Sequence, residues 1–259
     1  MSDTKPTLHH LNDSQSQSIL WLLEELGIDY NLVPYERQKG RAPAELKKIH
    51  PRGKSPTLVT ASGRVITERS AITLYLIRTY DAAGRFQVAH PALPSPSSDI
   101  ERGGEDEDDL LREEELVSLG TATINPVIMF AYVLAVIAKM SPFFVRPIMT
   151  GFSMLMRKAF LDAELAGGFA ELERCLLLPK KSTKGTEEHA REYLMGGPEP
   201  TRADFMVAWF AEWAVAGKLV DLPKNYPATQ AWLARCLARP AYKRSLEKGN
   251  GYNMDIDKY

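Results

Sequence analysis

Two kinds of periodicity meet at a segment that suits neither helix nor sheet. Residues 90–98 (HPALPSPSS) hold three prolines and three serines, and Arg102-Gly103-Gly104 follows them. Proline fixes φ and removes a backbone donor, so such a run separates structural units rather than belonging to one. On its amino-terminal side the pattern switches repeatedly. Residues 7–11 read as a short strand; Ile19, Leu22, Leu23 and Leu26 then recur at i, i+3, i+4, i+7, one apolar helical face that stops at Gly27. Residues 30–35 (YNLVPY) return to strand-like spacing, and residues 44–49 form a short helical piece behind Pro43. Residues 57–60 and 64–66 flank Ser62-Gly63 as a small hairpin. A second amphipathic helix, with Ile72, Tyr75 and Leu76 on one face, ends near Tyr80. The order β-α-β-α-β-β-α predicts a small α/β domain whose first crossover is right-handed between parallel strands.

On the carboxyl-terminal side every pattern is helical. The acidic run 105–109 suits a solvated first turn, where carboxylates complement the helix dipole. Pro142 and Pro147 separate two long helices, and residues 180–188 read as a polar, basic loop. Thr201-Arg202-Ala203-Asp204 has the form of a capping box. Tyr226-Pro227 opens a helix through Trp232, Leu233 and Leu237, and Pro240 ends it. The expected organisation is an α/β domain over residues 1–84, a linker over 85–104 and an all-helical domain over 105–259.

The charges balance, with 32 Lys and Arg against 33 Asp and Glu, so no electrostatic feature calls for a nucleic acid. Cys175 and Cys236 are too few and too far apart for a disulfide framework or a zinc cluster, and His9, His10 and His50 lack metal-ligand spacing. With a polar amino terminus showing no secretory signal, these features predict a reduced, cytoplasmic protein without a metal. Residues 116–138 carry no formal charge, a length sufficient to span a bilayer. Asn125 and Pro126 fall in the middle of that run, and Glu113, Glu114 and Glu115 lead into it. The run is therefore expected to be a buried bundle helix, and membrane association is not expected.

Five pieces in this order resemble the glutathione transferase family over nearly the whole chain. They are residues 11–26 (LNDSQSQSILWLLEEL), 45–58 (ELKKIHPRGKSPTL), 66–76 (ITERSAITLYL), 201–204 (TRAD) and 226–242 (YPATQAWLARCLARPAY). Within the family the chain is most similar to fungal enzymes of the yeast type, through Pro34-Tyr35, Arg41-Ala42-Pro43 and residues 45–51 (ELKKIHP). The resemblance implies a thioredoxin-like amino-terminal domain followed by an all-helical one, glutathione as co-substrate or cofactor, and a homodimer.

Conjugation by glutathione needs a thiolate near neutral pH, while a free thiol titrates near ~8.5. A hydroxyl donating at the amino end of a helix favours the anion. Ser14 lies between the first strand and the first helix and matches the serine of serine-type members, with Asn12 as a second donor on the same turn. Taken alone, a serine at this place is usually an N-cap, and Ser16 competes with Ser14 for either job. Ser55-Pro56 matches the family's cis-proline, whose preceding residue pairs its backbone with the cysteinyl part of glutathione; a trans turn proline is the alternative. Arg41 and Lys54 match positions that hold the glycyl carboxylate, or are solvated cations. Glu68 matches the acid of a Glu-Ser pair that receives the γ-glutamyl group, but the chain has Arg69 in place of the serine. Arg69 either pairs bidentately with the same carboxylate or fills its space. The apolar electrophile is expected between the domains, against Met129, Phe130 and Val133, with Tyr132, Met149, Phe152, Met154 and Met156 as further candidates.

Three functions fit this pattern. The first is a glutathione S-transferase whose thiolate attacks an apolar electrophile, in detoxification or secondary metabolism. The second is a glutathione-dependent cis-trans isomerase of an activated alkene. The third is a non-catalytic binding module on the same fold, which the Glu68-Arg69 departure favours.

Overall fold

The computed structural model describes residues 5–38, 40–88, 105–178 and 191–249. Strand β1 (Thr7–Leu11) is followed by helix α1 (Ser16–Leu26) and by β2 (Asn31–Tyr35), parallel to β1 with Thr7 opposite Asn31. A 3₁₀ turn, Ala44–Lys48, leads to β3 (Thr57–Val59) and β4 (Val65–Thr67), and α2 (Arg69–Tyr80) closes the unit. The sheet order is β2-β1-β3-β4, with β3 antiparallel to both neighbours. Pro34 is tolerated because β2 is an edge strand. Gly27 ends α1 at φ 64°, where its N–H reaches the Leu23 carbonyl at 3.2 Å. A left-handed cap of this kind is what glycine does at little steric cost.

The second unit is helical. Helix α3 (Glu105–Ser118) and α4 (Asn125–Met140) run into one another through a π turn, Leu119–Ile124. After the turn at 141–145, α5 (Arg146–Met156) continues through a second π turn, Arg157–Leu161, into α6 (Asp162–Leu177). Then come α7 (Arg202–Ala216), a short α8 (Leu222–Asn225), α9 (Pro227–Ala238) and α10 (Pro240–Lys248). Pro240 thus opens α10 as well as closing α9. The linker expected at 85–104 falls, from residue 89 on, outside the described residues, as does the loop expected at 180–188. At the linker's start Phe86 is buried against Phe205, ring centroids 5.6 Å apart.

Helix α1 fuses the two units. Its residues 16–25 are all buried, because the sheet and α2 cover one side while α7 and α10 cover the other. Trp21 meets the rings of Phe205 at 4.5 Å and Tyr242 at 5.6 Å. Burial on this side brings Glu24 and Glu25 out of water, and α10 supplies their counter-charges. Arg239 grips Glu25 through two nitrogens, one at 2.9 Å, and also reaches Glu199 at 2.7 Å and the Tyr193 hydroxyl at 2.8 Å. Arg244 and Lys248 reach Glu24 at 3.0 and 2.5 Å. Losing one partner would strand a buried charge, so these pairs pin α10 in register on α1.

Helix α4 corrects one expectation. The uncharged run 116–138 is not buried all round. Ile128, Ala131, Leu134 and Ala138 face inward, while Met129, Phe130, Val133 and Ile137 are exposed. The described residues contain one helix long and apolar enough to cross a membrane, Asp109–Met140.

Two carboxyls sit in the helical core. Burial pushes Glu113 up to about 7 against the pull of Arg202, and pushes Glu212 up to about 7 although the Tyr242 hydroxyl donates to it at 2.8 Å. An acid with a raised folded pKa binds more protons folded than unfolded between the two values. Stability therefore falls as pH rises from about 4.5 to about 7, by at most about 1.4 kcal/mol per pH unit for each carboxyl. Glu212→Gln keeps an acceptor for Tyr242 and removes the ionisation. Urea unfolding between pH 5 and 8 should show a shallower decline in this variant, and curves parallel to wild type would remove Glu212 as a source.

Candidate functional site

Between the units lies a cleft of about 1040 Å³. One wall is the turn from β1 into α1. Asp13 has φ 48°, a left-handed conformation that costs a non-glycine residue energy and gathers at functional turns. The turn presents Ser14, whose Oγ donates to the Leu11 carbonyl at 2.7 Å and accepts from the Ser16 amide at 3.2 Å. Ser14 thus satisfies a first-turn amide and also lines the cleft, so the two readings of this serine are compatible. Ser16 is out of contention for the cleft. It is fully buried, with its Oγ 2.5 Å from Nδ1 of His10, an imidazole that burial pulls down to about 4 and keeps neutral.

Asn12 is a correction. Its Oδ1 accepts from the Arg37 amide at 2.9 Å and its Nδ2 donates to Asp13 at 3.2 Å, and it does not line the cleft. It serves as a strut between the β1 turn and the segment after β2.

The second wall is built around Ser55-Pro56, whose peptide bond is cis. Ser55 Oγ accepts from the Leu11 amide at 3.0 Å and donates to the His9 carbonyl at 2.9 Å, which ties the approach to β3 onto β1. Beside it Glu68 stands between β4 and α2 at φ 71°, again a costly backbone for a side-chain-bearing residue, with its carboxylate on Arg52. No side chain caps α2, and Glu68 just before it, with its first residues Arg69 and Ser70, lines the cleft. Uncapped first-turn amides at a helix start are a ready site for an anion. Around the mouth stand Arg37, Arg41, Lys47, Arg52 and Lys54 against Asp13 and Glu68. Arg41 is held by a two-way backbone bridge with Gln38 at 2.9 and 3.0 Å. The excess of cations suits a ligand with more than one carboxylate.

Arg69 resolves differently from either expectation. Its side chain turns into the seam between the units and is 5% exposed. Nη2 donates to the Met206 carbonyl at 2.6 Å, Nη1 to Ser18 Oγ at 3.3 Å, and the guanidinium lies 4.4 Å over the Phe210 ring. Burial pulls its pKa down to about 9. The guanidinium is thus committed to the seam, which corrects its assignment as a partner for a ligand carboxylate. The next residue, Ser70, takes a 2.8 Å bond from Arg202, which in turn pairs with Glu114 at 2.7 Å.

The third wall is apolar. From α4 it takes Met129 and Tyr132, and from α7 Met206, Trp209, Phe210 and Trp213. Trp213 packs on Trp209 at 5.0 Å and on Tyr132 at 5.7 Å. Phe130 and Val133 are corrections: they lie on the outward side of α4, 45% and 40% exposed, and do not line the cleft. The π turn brings Thr121 to the cleft, next to Asn125 at the start of α4. Inserted residues of this kind recur at functional sites because they re-aim the helix that follows. Gly120 sits in the same turn, where an added Cβ would lie 3.1 Å from Val207. The residues that sequence reasoning missed are mainly Trp209 and Trp213. Their i, i+4 spacing was a signal of a shared face, but not of what that face meets.

Comparison with known proteins follows the same lines. Residues 14–79 match the family model for the glutathione S-transferase N-terminal domain. Glutathione S-transferase 3 of Schizosaccharomyces pombe is 33% identical over 157 residues, 61% of this chain and 58% of that protein. Glutathione S-transferase 1 of Saccharomyces cerevisiae is 25% identical over 256 residues, 96% of this chain and 97% of that protein. A crystal structure of a glutathione S-transferase from Actinobacillus pleuropneumoniae superposes with a TM-score of 0.67 at 26% identity, covering 98% of this chain and 96% of that one. A cis-proline beside an uncapped helix start, a serine at the first turn and a helical unit closing the cleft accompany these likenesses in sequence and fold. On that evidence the chain is similar to glutathione S-transferases, to the family's N-terminal domain over residues 14–79 and to the whole length of a yeast member at lower identity.

Proposed function

We propose that this chain is a glutathione transferase: it binds glutathione across the cleft, holds its sulfur as the thiolate at Ser14 and directs it at an electrophile on the aromatic wall. The observation that carries this reading is convergence. Ser14, the edge at cis Ser55-Pro56 and the uncapped start of α2 all face one cavity. An extended tripeptide laid against Ser55 adds a strand there, its γ-glutamyl carboxylate at the α2 amides and its ammonium at Glu68. Arg41 and Lys54 take the glycyl carboxylate. The sulfur then falls towards Ser14. The protein supplies proximity and stabilisation of the anion, with no covalent intermediate on the enzyme. Met129, Tyr132, Trp209 and Trp213 suit an apolar or aromatic electrophile, and a homodimer is the assembly that the family resemblance implies.

An ultraviolet difference titration of glutathione into the protein across pH tests the reading. A thiolate band that persists well below the ordinary thiol pKa is expected. Binding without that band would make the protein a glutathione-binding module.

Arg69 offers a second check. Arg69→Met replaces the buried guanidinium by an apolar chain of similar length, an exchange that is often neutral. Glutathione affinity should stay within about threefold of wild type and stability within about 1.5 kcal/mol, whereas Arg69→Ala opens a void under Phe210 and costs about 2–3 kcal/mol. Calorimetric titration and urea unfolding read both. A loss of affinity above tenfold in Arg69→Met would return Arg69 to the ligand.

A further inference from the structure

Two arginines cross the seam between the units in opposite directions. Arg69, the first residue of α2, reaches the Met206 carbonyl of α7 at 2.6 Å. Arg202, the first residue of α7, reaches back: Nη2 donates to Ser70 Oγ of α2 at 2.8 Å, and Nη1 to Glu114 of α3 at 2.7 Å. The capping box of Thr201 and Asp204 fixes the backbone from which Arg202 projects. Arg202 is buried and its charge is already answered, since Glu114 pairs with it and the buried Glu113 lies within its field. The guanidinium is therefore spent on protein groups, but it also controls a hydroxyl.

Three serines line the cleft, and their hydrogens are placed differently. Ser14 donates to the Leu11 carbonyl at 2.7 Å and Ser55 to the His9 carbonyl at 2.9 Å. Ser70 accepts from Arg202, and among the described residues its Oγ meets no acceptor. A guanidinium carries donors and no acceptor, so that bond cannot run the other way. A helical hydroxyl often spends its hydrogen on the carbonyl one turn back, as Thr73 does on Arg69 at 2.8 Å. Ser70 does not. It is the second residue of α2, beside first-turn amides that no side chain caps.

We infer that Ser70, oriented by Arg202, donates to the γ-glutamyl carboxylate of glutathione, so that a residue of the helical unit positions a ligand group of the α/β unit. The inference rests on the glutathione reading of the cleft. It gives the subsite where Arg69 stands in place of a serine a hydroxyl one residue later. Ser70 touches the ligand. Arg202 is a positioning residue: it occupies one lone pair of Ser70 and leaves the O–H to turn to the carboxylate. Hydrogen bonds to a charged acceptor are among the stronger ones that a protein makes.

Calorimetric titration of the full chain with three ligands tests it. They are glutathione, glutaryl-cysteinylglycine, which lacks the amino group, and 4-aminobutyryl-cysteinylglycine, which lacks the carboxylate. Ser70→Ala should lose about 10- to 50-fold in affinity for the two ligands that carry the carboxylate, and less than about threefold for the one that does not. Arg202→Met should show a smaller loss in the same ligand pattern, and Arg202→Lys, which keeps a donor for Ser70, should restore most of it. Urea unfolding shows which variants are folded, and Ser70→Ala, on the first turn of α2, carries the test if Arg202→Met is not. Equal losses for all three ligands would make both residues structural and overturn the inference, as would unchanged affinities in Ser70→Ala. A loss that appears only with an electrophile present would move the hydroxyl to the second substrate and overturn it too. Failure of wild type to bind glutathione at all is a distinct result, because it removes the glutathione reading and the inference falls with it.

Discussion

Asp204→Ala is expected to destabilise the folded chain by about 3–5 kcal/mol, the largest effect of any single side chain considered. The carboxylate is fully buried at the start of α7 and collects four donors. Its Oδ1 takes the Leu194 amide at 3.0 Å and the Trp232 indole at 2.7 Å, while Oδ2 takes the Thr201 amide at 2.8 Å and the Thr201 hydroxyl at 3.2 Å. Burial raises its pKa even so, with the donors pulling the other way. Alanine leaves the Leu194, Thr201 and Trp232 N–H groups buried without an acceptor, each worth about 1–3 kcal/mol before relaxation. It also removes the capping box of α7, the helix that supplies Met206, Trp209, Phe210 and Trp213 to the cleft. Asp204→Asn should fall between, because an amide keeps one acceptor and turns a donor towards Thr201. Urea unfolding at constant m-value reads the difference. A loss below about 1 kcal/mol would mean that water or a shifted loop replaces the carboxylate.

Ser14→Ala is expected to lower kcat/KM for conjugation by about 30- to 150-fold, corresponding to about 2–3 kcal/mol of lost anion stabilisation. The hydroxyl hydrogen rests on the Leu11 carbonyl at 2.7 Å. A thiolate is the stronger, charged acceptor, so rotation about one bond transfers that hydrogen to the ligand. Stability should fall by only about 1 kcal/mol, the usual cost of losing a helix-start serine, here bonded to the Leu11 carbonyl and the Ser16 amide. The thiolate band should weaken in parallel with the rate. Rates within threefold of wild type would transfer the role to the backbone amides of the turn, because Asn12 does not line the cleft.

The elements of the α/β unit were legible because each is a local matter. Residues 7–11 read as a short strand, Ile19 to Leu26 follow a helical period, and Gly27 supplies the left-handed stop; the structure returns those elements within a residue or two. The capping box at Thr201 and Asp204 is a four-residue signal and was legible for the same reason. The positions at the cleft, Ser14, Arg41, Lys54, Ser55, Pro56 and Glu68, came from resemblance rather than from period, and the fold brings them to one cavity.

Other features depended on partners distant in the chain. Whether Met129 or Phe130 faces the cleft turns on a rotation of about 100° between neighbours on a helix, set here by the docking of α7 and the extra residue of the π turn. Arg69 follows Glu68 in sequence, yet its partners are Ser18, Met206 and Phe210, brought to it by the seam. Glu24 and Glu25 look like solvated charges until α10 arrives with Arg239, Arg244 and Lys248. The uncharged run 116–138 gives a hydrophobic helix in isolation, and only the placement of α6 and α7 decides that one side is core and the other bare. The sequence by itself determined which segments are strands and helices and where most of them stop, because backbone sterics, capping and period act within a few residues. The tertiary structure decided which side chains share that cleft, which charges are buried and which apolar face is left exposed, because those outcomes depend on where helices far apart in the chain come to rest.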